Sequence, residues 1–141
     1  KKFATDKASS ESALLHFCSK VDFHILVFLQ PTSPMILNTD INKALNMIKK
    51  FDSVLSVSQI NQFVWTNGIP NYNLKNRKRR QDNHESFLET GSLFVTKRKN
   101  LIKSKNRISG KIGFLLIPRS RSFDIDTYED LSIIKKLLKW F

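Results

Sequence analysis

Apolar positions run along this chain in two rhythms, and the rhythms divide it into elements. Phe23-His24-Ile25-Leu26-Val27-Phe28-Leu29 is nearly continuous apolar sequence, the pattern of a strand buried on both faces of a parallel sheet. It stops at Gln30-Pro31-Thr32-Ser33-Pro34, a polar loop whose prolines restrict the backbone. Ile41, Ala44, Leu45, Ile48 and Phe51 then recur at helical spacing behind a cap at Thr39 or Asp40, predicting a helix with one apolar face. Asp52-Ser53-Val54-Leu55-Ser56-Val57 returns to strand character. A helix between two strands predicts a right-handed crossover and a parallel pair. Upstream, Ser9 or Ser10 caps a helix through Ala13, Leu14, Phe17 and Cys18. Downstream, Phe87 to Val95 and Ile112 to Pro118 read as strands. A last helix from about Tyr128 to Trp140 is expected to bury Leu131, Ile134, Leu138 and Phe141. Between Gln59 and His84 the rhythm breaks into Asn, Arg and Lys around Phe63, Trp65 and Tyr72, an excursion from the sheet that predicts a small β-arm. The order of elements makes this an α/β chain.

Composition narrows the class. With 141 residues, 40% hydrophobic and 26% charged, the chain has the makeup of one globular domain. No apolar stretch approaches the roughly 20 residues of a membrane span, so no membrane partner is expected. The single cysteine, Cys18, excludes an internal disulfide framework and fits a reducing, cytoplasmic setting. Lying among Leu14, Leu15 and Phe17, it reads as a packing residue. His24, inside an apolar run, reads as a hydrogen-bonded core residue rather than a ligand. The net charge of +12, from 24 Lys and Arg against 12 Asp and Glu, favours anionic partners. Much of it is scattered, as at Lys43, Lys49, Lys50, Lys103, Lys135 and Lys136, in the manner of solvated faces.

Three segments carry candidate chemistry. Asp124-Ile125-Asp126 follows an apolar run and precedes a helix. On a strand, residues two apart point to one side, and ligands of open α/β sheets gather at the strands' carboxyl ends. Two carboxylates there, with water and phosphate completing the shell, suit Mg²⁺. Against this stands ordinary helix capping, because Thr127 with Asp130 makes a capping box. Arg77-Lys78-Arg79-Arg80-Gln81 has three readings: a solvated loop, a nucleic-acid or targeting patch, or a clamp for carboxylate or phosphate. The Gln30 to Pro34 loop either presents polar groups to a ligand or is an ordinary proline-rich turn. A nucleic-acid-binding module is disfavoured, because most of the 11 phenylalanines sit in apolar contexts and no recognised binding motif appears.

Taken in order, these segments resemble one family. Ser9-Ser10-Glu11-Ser12 with His16, Leu29-Gln30-Pro31-Thr32-Ser33-Pro34, Arg79-Arg80-Gln81-Asp82 followed by Glu89-Thr90-Gly91-Ser92, and Asp124-Ile125-Asp126 are similar to the motifs of CMP-sialic acid synthetases (acylneuraminate cytidylyltransferases). Asp52 to Val57 and Gln62-Phe63-Val64-Trp65 also fall where that family has similar residues. The resemblance implies a Rossmann-like nucleotidyltransferase fold, with a mainly parallel sheet, a protruding β-arm and the first part of the domain missing. None of the four glycines forms the family's nucleotide loop. Residues 1–141 are thus expected to be a single partial cytidylyltransferase domain, inactive by itself, with 59–84 as a dimerisation and substrate arm. A catalytically incomplete homologue is the alternative. Met35-Ile36 stands where many members have Leu-Arg, and Leu88 and Thr90 where many have Tyr and Asn; these departures bear on which sugar is used.

The resemblance also implies an activity: CTP and an acidic nine-carbon sugar, an N-acylneuraminate-type nonulosonic acid, yield a CMP-sugar and pyrophosphate in a Mg²⁺-dependent homodimer. It assigns the metal to Asp124 and Asp126, with Asp126 also assisting deprotonation of the sugar hydroxyl. It places Gln30, Thr32, Ser33, Arg77, Arg80, Gln81, Glu89 and Phe94 at the sugar, with Arg80 counted among the catalytic groups, and Ser10 at the nucleotide.

Overall fold

The computed structural model describes residues 5, 8–79 and 86–139. The elements are α1 (Ser10–Lys20), β1 (Ile25–Leu29), α2 (Asn38–Met47), β2 (Ser53–Ile60), β3 (Trp65–Thr66), β4 (Ile69–Pro70), β5 (Ser86–Lys97), α3 (Arg98–Ser104), β6 (Ile112–Leu116) and α4 (Tyr128–Leu137), with a 3-10 turn at Arg119–Arg121. Capping follows local chemistry. Ser9 caps α1 through the Ser12 amide, and Thr127 caps α4 in a reciprocal box with Asp130. At α2 the cap position falls on Leu37, and Asp40 reaches back to its N–H at 3.0 Å. No apolar periodicity marks α3 in the sequence, because the helix is short and basic with a single buried position, Leu101.

The main sheet has the order β1-β5-β2-β6. β5 runs antiparallel to β1 and β2, and β6 runs parallel to β2, so β1, β2 and β6 share one direction. The parallel pair expected between β1 and β2 does not form: β5 lies between them. The burial explains why. In β5, Leu93, Phe94, Val95 and Thr96 are all at most 2% exposed, so this strand carries apolar side chains on both faces and takes a central place. β1, which the pattern marks as doubly buried, is instead an edge strand in this sheet, with Ile25, Val27 and Leu29 exposed and Leu26 buried. His24 is exposed at its start, not in the core.

Two layers of helix cover the sheet. On one face α2 and its C-cap set Ala44 and Ile48 against Val54, Leu93, Val95, Leu115 and Ile117; each Val, Leu or Ile side chain fully buried contributes about 1.5–3 kcal/mol. On the other face α1 and α3 pack Leu14, Cys18 and Leu101 on Leu26, and Cys18 has the packing role its neighbours suggested. Ile134 anchors α4, Leu131 is half-buried, and Leu138 is exposed despite its spacing; Phe141 lies outside the described residues. In the 59–84 excursion, β3 and β4 pair as a hairpin through Asn67-Gly68, both at positive φ (51° and 78°), the combination that a tight two-residue hairpin turn requires. Trp65 and Ile69 stand exposed on it.

Candidate functional site at the carboxyl end of the first strand

Beyond the last residue of β1 the chain turns sharply and is stitched to two distant segments. The Gln30 N–H donates to the Ser92 carbonyl at 3.1 Å, and the Ser33 N–H closes the turn on the Gln30 carbonyl at 3.1 Å. The Ser33 hydroxyl, 6% exposed, donates to Asp124 Oδ1 at 3.1 Å. The Ile125 N–H donates to the Thr32 carbonyl at 2.9 Å. Segments more than ninety residues apart in sequence thus share one small network at the end of the sheet where such folds bind ligands. Gln30, Thr32, Ser33 and Asp124 are brought together.

The support beneath them is a buried ion pair that the sequence did not disclose. Arg121, on the 3-10 turn just before Asp124, makes a forked contact with Asp40, with Nη2 3.1 Å from Oδ1 and Nη1 on Oδ2. Nη1 also donates to the Met35 carbonyl at 3.0 Å. Side-chain exposure is 10% for Arg121 and 3% for Asp40. Burial works against the charged Asp40 carboxyl. The hydrogen bonds from Arg121 and the Leu37 N–H, with the positive charges of Arg121 and Lys43, outweigh it and hold the group below its ordinary range. One arginine therefore ties the loop after β1, the start of α2 and the acidic loop into a single unit. Asp40 was visible as a capping candidate, but nothing in the sequence joins it to position 121.

A second device lies in β5. Leu55 pairs with Phe94 and Val57 with Glu89, so Ser56 alone faces the segment from Thr90 to Leu93. Gly91 at φ +71° permits the bulge. Ser56 Oγ accepts from the Leu93 N–H at 3.0 Å and the Thr90 hydroxyl at 2.7 Å. This arrangement aims the Ser92 carbonyl at Gln30 and leaves Glu89 exposed beside the bulge.

The acidic pair itself sits differently from its sequence expectation. β6 ends at Leu116, and Asp124 and Asp126 lie in the loop between the 3-10 turn and α4. Strand alternation therefore does not orient them. Asp124 borders a recess with Phe123, Asp130, Ile133 and Ile134, whereas Asp126 borders one with Ile125, Thr127, Tyr128 and Leu131. Asp124 Oδ1 is engaged by Ser33 and the Ile125 N–H; Oδ2 and the Asp126 carboxylate have no partner among the described residues. Hydrogen bonds from the Thr127 hydroxyl and backbone keep the nearby Asp130 carboxyl below its usual range. No group of three or more His, Cys, Asp or Glu able to hold a metal occurs among the described residues. Both carboxylates are hard oxygen donors of the kind Mg²⁺ takes beside water and phosphate, but they border different recesses.

Among the described residues, Arg77, Phe94 and Ser10 take no part in the Ser33–Asp124 network. Arg77 lies at the root of the arm with its guanidinium 4.4 Å from the Phe63 ring centre and 5.5 Å from that of Tyr72. Phe94 is 2% exposed, stacked on Phe28 and covered by the Arg107 guanidinium at 4.4 Å. Its ring is packed into the core, and no face is open toward a sugar. Ser10 opens α1, where Ser9 is the cap, and α1 packs on α3. Arg80 and Gln81 lie outside the described residues.

Comparison with known proteins bears on this arrangement. No protein-family model matches the chain. A curated protein, N-acylneuraminate cytidylyltransferase B of Danio rerio, is 29% identical over 143 aligned positions, covering 93% of this chain and 34% of that protein. The resemblance read from the motifs holds. The chain spans about a third of that relative's length. Among solved structures, 4-diphosphocytidyl-2C-methyl-D-erythritol synthase of Anaerococcus prevotii superposes with a TM-score of 0.71 at 11% identity, covering 94% of this chain and 68% of that one. A CMP:2-keto-3-deoxy-manno-octonic acid synthetase solved with CTP superposes at 0.67 and 13% identity, covering 96% and 70%. At such low identity these two establish the fold: the chain has the α/β architecture of cytidylyltransferases.

Proposed function

We propose that this chain serves a cytidylyltransferase activity that joins CTP to an N-acylneuraminate-type nonulosonic acid, releasing pyrophosphate. The observation that carries it is the Ser33–Asp124 hydrogen bond. It joins, at the carboxyl end of β1, the two segments whose residues most resemble the family's sugar loop and metal ligands. The similarity to a protein named as an N-acylneuraminate cytidylyltransferase supports the same substrate class. In this reading Gln30, Thr32 and Ser33 meet the sugar on a backbone already fixed by two prolines, so little entropy remains to be lost on binding. Glu89 orients a sugar hydroxyl from the β5 bulge. Arg77, with Arg80 and Gln81, holds the carboxylate, for which a guanidinium offers a bidentate fork. Asp124 and Asp126 would hold Mg²⁺, which when bound would lower the charge of the α-phosphate and orient the departing pyrophosphate. Asp126, with no partner of its own among the described residues, accepts the proton of the anomeric hydroxyl as that oxygen attacks phosphorus. Positioning and charge stabilisation, rather than covalent chemistry, supply most of the acceleration. The protein acts as a cytoplasmic homodimer, with the 59–84 arm reaching toward a second copy.

The test uses the complete reading frame that carries this chain, incubated with CTP, Mg²⁺ and a panel of nonulosonic acids. Release of pyrophosphate and formation of a CMP-sugar are expected. Asp124→Ala and Asp126→Ala should each abolish turnover while the circular dichroism spectrum is retained. Absence of product with every acceptor, or full activity in both variants, would overturn the reading.

A further inference from the structure

Two hydroxyls of the main sheet, those of Ser58 and Thr96, are buried without a hydrogen-bond partner among the described residues, and Ser58 also lines a cleft. Ser58, near the carboxyl end of β2, is 1% exposed, and its Oγ is buried without a partner. Such a group in a native interior calls for an explanation, because leaving a buried hydroxyl unpaired is costly. Ser58 lines a cleft of about 280 Å³ together with Gln59, Leu116, Ile117, Pro118 and Arg119. The cleft opens where the parallel strands β2 and β6 end, the position at which open α/β sheets receive ligands. Among the described residues its charged wall is Arg119, an exposed residue on the 3-10 turn. With its amide oxygen assigned toward Arg119, Gln62 accepts from Nη2 at 2.7 Å and so holds the guanidinium in place. Arg119 makes no ion pair with a carboxylate among the described residues, in contrast to its neighbour Arg121, which is fully engaged with Asp40 and Met35.

We propose that this cleft is a binding site for an oxyanion, with the Arg119 guanidinium as the charged donor and the Ser58 hydroxyl as the neutral one. A phosphate or a carboxylate offers acceptor oxygens to both, and the bound anion supplies the partner that Ser58 lacks. The cleft shares no lining residue with the Ser33–Asp124 network, and the proposal stands whether or not the chain takes part in cytidyl transfer. It also accounts for Gln62: a neutral acceptor steadies Arg119 without cancelling the charge that an anion would meet.

The experiment titrates the 141-residue chain with inorganic pyrophosphate and, separately, with N-acetylneuraminic acid, following Ser58 and Arg119 by NMR and affinity by calorimetry at fixed ionic strength. Saturable binding that shifts both residues is expected with at least one probe, and which probe binds distinguishes a phosphate source from a carboxylate source. Arg119→Gln should weaken that binding about tenfold or more. Lys99→Gln, a charge-matched change at the opposite end of the sheet, should leave affinity unaltered. Ser58→Ala should weaken binding several-fold while leaving the melting temperature unchanged or raised, since no hydrogen bond of the free protein is lost. Failure of both probes to bind, an equal loss in the Lys99 variant, or wild-type affinity in the Arg119 variant would each overturn the assignment. Loss of cytidyl transfer with this anion binding intact would count against the proposed function alone.

Discussion

Replacing Arg121 with methionine removes a guanidinium while keeping much of its apolar stem. The Asp40 carboxylate, 3% exposed as a side chain, would lose both forked contacts and keep only the Leu37 N–H at 3.0 Å. The Met35 carbonyl would lose its donor as well. Breaking a buried pair from one side typically costs about 3–5 kcal/mol, because a charge is left uncompensated. Against a total stability of about 5–15 kcal/mol that is a large fraction. With a urea slope of about 1–3 kcal/mol per M, the unfolding midpoint should fall by roughly 1 M or more. The effect must also depend on pH. In the parent protein the folded-state pKa of Asp40 is lowered, so its contribution is present above the unfolded value of about 3.9 and is lost as pH falls through the folded value. In Arg121→Met the unpaired, buried carboxyl shifts upward instead, and protonation relieves its penalty. The gap between the two proteins should therefore narrow as pH falls from 7 toward 4. Urea titrations followed by circular dichroism at several pH values measure this directly. A loss below about 1 kcal/mol at neutral pH, or a gap that does not change with pH, would refute the account of the pair. If the variant is too unstable to titrate, Asp40→Leu combined with Arg121→Met should restore most of the stability, since an apolar replacement of both partners is often close to neutral.

Two further changes test the frame around the site. Gly113→Ala on β6 would place a Cβ 2.8 Å from the Phe51 ring, an overpacking cost of about 1–3 kcal/mol; a melting temperature equal to the parent's would show that the ring yields freely. Ser56→Ala would leave the buried Leu93 N–H without its acceptor and the Thr90 hydroxyl with only the longer contact to the residue-56 carbonyl, at about 1–3 kcal/mol. An unchanged urea midpoint would mean that the β5 bulge does not depend on that hydroxyl.

Local chemistry was enough to identify the capped helices, the apolar runs and the polar loops of this protein. Ser9, Thr127 and the Ala44–Ile48 face act as their spacing suggests, because caps and periodicity are decided within a few residues. Ordered motifs were enough to indicate a cytidylyltransferase-like fold, and the Gln30 to Pro34 loop and Asp124 do meet. Strand order was not legible. Phe23 to Leu29 and Phe87 to Val95 are both rich in apolar residues, and only competition for the centre of the sheet places β5 between β1 and β2. The same limit applies to single residues: Phe94 is aromatic in either setting, and burial against Phe28 under Arg107 makes it a core residue. Pairings across long loops, Arg121 with Asp40, Ser33 with Asp124 and Gln62 with Arg119, have no local signature. Their partners come together only after the chain has folded, and there the exclusion of water turns scattered polar side chains into fixed contacts.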